Sequence, residues 1–188
     1  MENSSPNIKI IQAATISILI IVISMLLYSQ GRPLTCICGG ILLASSTWSS
    51  HTSQHLFDPY SFTHLLHGFL FFFILLLLPN IPKHWHLIIA TVAESSWEIL
   101  ENSEYVINKY RADTIAMNYQ GDAIINSVGD ITCCITGFIV ARQLGFYKSL
   151  IIFILLEITL IIWIRDSLIL NIIMLLYPIP EIKQWQLG

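Results

Sequence analysis

The chain has 188 residues, 55% hydrophobic and 11% charged, with a net charge of -3. A soluble domain carries about 25% charged residues, so this much apolar surface calls for lipid as its solvent. No basic block or Lys/Arg stripe is present, and no nucleic-acid partner is expected.

The first apolar run covers residues 8–28 and reads as a retained signal anchor. Lys9 is its lone positive flank, and no small-residue cleavage site follows. Ser29-Gln-Gly-Arg-Pro33 breaks it. Residues 34–46 are apolar but short of the roughly 20 needed to span, so a re-entrant or interfacial segment is expected. Within it, Cys36-Ile-Cys38 leaves a disulfide, a metal pair and plain packing all open, while Cys133 and Cys134 read as small buried thiols. The polar stretch 45–60, with Trp48, His51, His55 and Asp58, fits a loop at headgroup level.

Further spans are expected over 60–78, from 84 to beyond 101, over 121–141 and over 147–164. Arg165-Asp166 interrupts the last run, 167–177 resumes it, and Pro178 and Pro180 end it. The fold class is therefore all-α: a multi-pass transmembrane helical bundle of five or six spans, one integral-membrane domain over 1–188. Lys/Arg counts favour neither side, and the N-terminus is placed inside.

The informative residues are polar ones in apolar runs. Glu94, Glu98 and Glu101 are spaced four and three apart, which puts them on one helix face. Asp122, Asn126 and Asp130 are each four apart and read the same way; His64 and His67 mark the second span. A charged residue at a span's centre costs about 2.5–3.5 kcal/mol on insertion scales, so these stripes should turn towards one another and form a polar cavity. Polar stripes can also act as helix glue, at about 0.6 kcal/mol per hydrogen bond, and a structural assembly role follows from that reading.

Ser53-Gln-His-Leu-Phe-Asp-Pro-Tyr-Ser-Phe-Thr-His-Leu-Leu-His-Gly68, Ala93-Glu-Ser-Ser-Trp-Glu-Ile-Leu-Glu-Asn102 and Tyr119-Gln-Gly-Asp-Ala-Ile-Ile-Asn-Ser-Val-Gly-Asp130 resemble uncharacterised protein family 0314. That family consists of small bacterial multi-pass inner-membrane proteins with a domain of unknown function. Pro59 stands where an aromatic residue is expected. The order Asp58, His64, Glu98, Arg111, then Asp122-x-x-x-Asn126-x-x-Gly129 is similar, more distantly, to VanZ-like membrane proteins of glycopeptide resistance. The resemblance implies the bacterial inner membrane as location and leaves the activity open.

The residues suggest an enzyme acting on a membrane lipid or lipid-linked substrate. Glu98, Asp122, Asp130 and Asn126 are the catalytic candidates, with Arg111, Arg165 and Trp97 for substrate. His64, His67 and Glu94 have ligand types suited to a divalent metal. The alternative is a small ion- or proton-coupled transporter or binding subunit, for which a homo-oligomer would offset the few spans.

Overall fold

Helices form where the apolar runs lie. The computed structural model describes residues 6–47, 49, 51–114, 116 and 119–188. Trp48, expected at headgroup level, lies outside them. The helices are α1 Pro6–Ser29, α2 Ser61–Leu76, α3 Lys83–Glu101, α4 Glu104–Asp113, α5 Ile124–Leu144, α6 Phe146–Ile164, α7 Leu168–Leu176 and α8 Pro180–Leu187. The fold is all-α; among the described residues the extended structure is one isolated bridge between Ala44 and Phe57.

Three helices, α1, α5 and α6, are long and apolar enough to cross a membrane. At 1.5 Å per residue, α1's 24 residues reach about 36 Å, beyond a hydrocarbon core of roughly 30 Å. The 16-residue α2 is apolar but shorter, and the 19-residue α3 carries the glutamate stripe. Only Ile23 and Leu27 of α1 are buried, while Ile151, Ile154, Leu155, Ile158 and Ile162 of α6 are exposed. Apolar surface on this scale suits acyl chains better than water.

At the centre, α2 and α5 touch backbone to backbone. A Cβ on Gly68 would stand 2.1 Å from the Cys134 carbonyl, and one on Gly137 would stand 2.0 Å from the Leu65 carbonyl. Small residues permit this approach, as is common between membrane helices. Around the contact Phe69, Phe72, Leu75, Leu87 and Phe138 form an apolar cluster, with the Phe72 and Phe138 rings edge to face at 6.1 Å.

Several expectations need correction. The third helix stops at Glu101, because Asn102 and Ser103 turn the chain; the Ser103 hydroxyl then caps α4 by accepting from Val106 N. The fourth expected span starts late, at Ile124, so Asp122 precedes the helix and does not continue the Asn126–Asp130 stripe. Pro180 starts α8 rather than only ending α7, since proline's missing N–H is harmless in a first turn. Residues 34–46, read as too short to span, contain no helix and need no such correction.

The irregular segments meet at one end of the bundle. Arg32 donates to the Gln120 carbonyl, Gln54 to the Gly121 carbonyl, and the Lys183 ammonium to the Ala112 carbonyl. At the other end the Gln12 amide donates to the His84 carbonyl. Glu157, buried in α6, accepts from Leu168 N at 3.0 Å and Ile169 N at 3.2 Å. It thereby meets the unpaired donors and positive dipole end of α7.

Candidate functional site

The site begins one turn into α2. His64 and His67, three residues apart, both face Glu94 on α3. His64 Nδ1 lies 2.6 Å from Glu94 Oε1, and His67 Nδ1 lies 2.9 Å from Glu94 Oε2. Glu94 is fully buried and holds both rings by the same nitrogen, which leaves both Nε2 atoms to face elsewhere. A carboxylate orienting an imidazole in this way is the usual support behind metal-binding or proton-transferring histidines.

More carboxylates gather around His64. Glu98 Oε1 is 3.3 Å from its Nδ1, and Asp130 Oδ2 is 3.8 Å from its Nε2. Both Glu98 oxygens are buried without a hydrogen-bond partner among the described residues. Asp130 Oδ1 accepts from the Ser61 hydroxyl at 2.7 Å. Two groups here could hold a metal ion: His64 with His67 and Glu94, and His64 with Glu98 and Glu101.

Asp122 reaches the same place from outside the helices. Its Oδ1 accepts from the Tyr119 hydroxyl and its Oδ2 from the Asn102 amide, both at 2.8 Å, and its own N–H donates to Asn102 Oδ1 at 2.7 Å. Burial pushes the Asp122 carboxyl up, against the opposing effect of the Tyr119 and Asn102 hydrogen bonds. Tyr110 is pushed up by burial and by Glu101, with which it shares a hydrogen bond.

A cavity of about 1080 Å³ joins these groups. His64, His67, Glu101, Asp122, Asp130 and Asp166 line its polar part; Leu70, Phe71, Trp97, Leu100, Ile172 and Leu175 line an apolar part. No Lys or Arg lines it among the described residues. Glu94, Glu98 and Asn126 lie outside the wall: the two glutamates are buried against the imidazoles, and Asn126 is 1% exposed with its Nδ2 unpaired. Trp97 is on the wall, edge-on to His67 with ring centres 6.2 Å apart.

The structure places the two arginines elsewhere. Arg111 donates to the Tyr119 carbonyl and, at 2.7 Å, to Gln120 Oε1, in a separate small pocket with Arg32 and Glu104. Arg165 ends α6 in the left-handed conformation, φ 55°. Tyr60, Tyr110, Tyr119 and Asp166 line the cavity and were not anticipated. Tyr110 and Tyr119 flank Arg111, but an isolated Tyr in a polar stretch reads as an interfacial anchor.

Comparison with known proteins adds a family and no activity. The family described as "Protein of unknown function (DUF2585)" matches residues 27–188. A UPF0314 protein of Brucella anthropi is 42% identical over 163 residues, covering 86% of this chain and 83% of its own. One from Paracoccus denitrificans is 42% identical over 172 residues, covering 90% and 89%. One from Sphingopyxis alaskensis is 38% identical over 172 residues, covering 90% and 92%. No solved structure matches. A match over most of the chain at this identity shows that the protein belongs to the DUF2585 family, whose relatives here carry the name UPF0314 protein.

Proposed function

We propose that this chain is a bacterial inner-membrane enzyme acting on a lipid or lipid-linked substrate. The observation that carries the reading is the cavity, with an acidic and imidazole part and an apolar part in one continuous space. A lipid has the same two parts, and a polar head placed near His64 would leave its chain against Leu70, Phe71 and Ile172.

His64 and His67, oriented by Glu94, are the groups suited to moving a proton at Nε2. Asp122 and Asp130 supply further carboxylates, and Tyr119 and Asn102 hold Asp122 in place. With no arginine or lysine on the wall among the described residues, the acids would share protons or a divalent ion. An ion held by His64, His67 and Glu94, or by His64, Glu98 and Glu101, would offset their repulsion and activate water.

The Glu98 oxygens, buried without a hydrogen-bond partner among the described residues, favour one second reading, a proton- or cation-coupled carrier, because buried acids also form ion pathways. The test compares whole-cell lipid profiles, by mass spectrometry, of a deletion strain carrying wild type, Glu98→Gln, Asp122→Asn or His64→Ala. The enzyme reading expects one lipid class to rise and another to fall in all three variants at unchanged protein level. Wild-type lipid profiles in all three would refute it. Proton flux in liposomes that those variants abolish would establish the carrier.

A further inference from the structure

Between residues 30 and 60 lies a long segment beside the cavity, with no helix among its described residues. Loops beyond about 12–15 residues with no element of their own are uncommon in compact domains and are usually functional. This one folds back on itself through Leu56 N to Leu42 O, Phe57 N to Leu43 O and Ser45 N to Phe57 O. Its first half carries Cys36 and Cys38, its second half His51 and His55. Folding brings one ligand atom from each of the four to within 4.8 Å of the others.

The contacts within the group are specific. His51 Nδ1 is 3.3 Å from Cys36 Sγ, and the two imidazoles stack at 5.6 Å. His55 is 1% exposed, and its Nε2 is buried with no hydrogen-bond partner among the described residues. A buried imidazole nitrogen left unpaired is costly unless something else binds it. Two sulfurs and two imidazoles form a donor set of tetrahedral structural zinc sites, whereas Ca²⁺ and Mg²⁺ prefer oxygen. Cys36, Cys38 and His51 also line the cavity, which gives an ion a way in.

We infer that Cys36, Cys38, His51 and His55, with both thiols reduced, bind one zinc-type divalent ion that fastens the two halves of this segment together. In the structure the two cysteines are bonded to each other. A thiol reductant supplies two electrons and two protons to open that bond, and the ion then displaces both thiol protons. Leu42 N–H points at His55 Nδ1 at 3.3 Å, so binding through Nε2 moves the ring proton to Nδ1 and gives up that contact. The site is distinct from the His64 cluster and does not rest on the enzyme reading.

The test titrates Co²⁺ into the full chain, purified in detergent under a phosphine reductant and stripped of metal. Cobalt bound by thiolate shows a sulfur-to-metal charge-transfer band that nitrogen and oxygen ligands alone do not give. One cobalt per chain should produce the band, and one equivalent of Zn²⁺ should remove it. Joint replacement Cys36→Ser and Cys38→Ser should abolish it, and His51→Ala should weaken cobalt binding at least tenfold. Joint replacement Cys133→Ser and Cys134→Ser, and separately Glu98→Gln, should leave it intact. Reading the unaltered chain first keeps the test independent of how any variant folds. Absence of the band in reduced wild type, or its survival without Cys36 and Cys38, would overturn the inference.

Discussion

Asp166 sits in the turn between α6 and α7, where its Oδ1 accepts from Ser167 N at 2.9 Å and its Oδ2 from the Tyr60 hydroxyl at 3.3 Å. Asn171 and Gln186 also hydrogen-bond it. Burial is the largest influence and raises its carboxyl from 3.8 to about 7. A folded-state value above the unfolded one means that the folded chain binds the extra proton. Its contribution therefore weakens as pH rises from the unfolded value near 3.8 to the folded value of about 7, then levels off. The slope is at most about 1.4 kcal/mol per pH unit. Melting temperatures of wild type and Asp166→Asn in detergent, compared across this range, should show a shallower fall for the variant; parallel curves would refute the assignment. This group was hidden in the sequence because an Arg-Asp pair after an apolar run reads as a solvated end. Glu94, Glu98, His64 and His67 were legible, since an acid or imidazole inside an apolar run has few ways to be satisfied. A shared cavity with Asp122 was expected as well; what the spacing hid is that Asp122 stands ahead of α5 and is held by Asn102 and Tyr119, which lie in turns.

Among the elements, the α2–α5 pair is the one the others pack around. Its closeness makes Gly68 intolerant of a single methyl, which would overlap the Cys134 carbonyl at 2.1 Å. Overpacking costs about 1–3 kcal/mol, so Gly68→Ala should lower the melting temperature by at least about 2 °C. Gly40→Ala, whose new methyl would meet only Cys38 Sγ at 3.9 Å, should leave it nearly unchanged. Equal effects of the two replacements would count against backbone contact between α2 and α5. The long helices could be read in advance because lipid rewards uninterrupted apolar runs. The short α4 and α8 could not: each is polar, and each takes its place from side-chain contacts outside itself, Arg111 with Tyr119 just beyond α4 and Lys183 with Ala112 far back in the sequence.

For the whole molecule, the two ends differ in kind. One carries short turns at Asn80 and Gly145; the other carries residues 30–60, 102–123 and 165–188. With the N-terminus inside, the second end faces the periplasm. Reporter fusions after Asn80 and after Tyr119 should then show cytoplasmic and periplasmic activity respectively, and the opposite pattern would reverse the orientation. Arg32, Arg111 and Lys183 all stand at this second end, each donating to a backbone carbonyl.

Such lopsidedness makes the molecule vectorial. Among the described residues every cavity-lining loop belongs to one end, so on the proposed lipid-enzyme reading a lipid head is presented from only one leaflet, and material in the opposite leaflet must first flip across. A preparation reconstituted in both orientations would expose half of its copies to lipid added outside. The remaining copies would become reachable once the vesicles were opened with detergent.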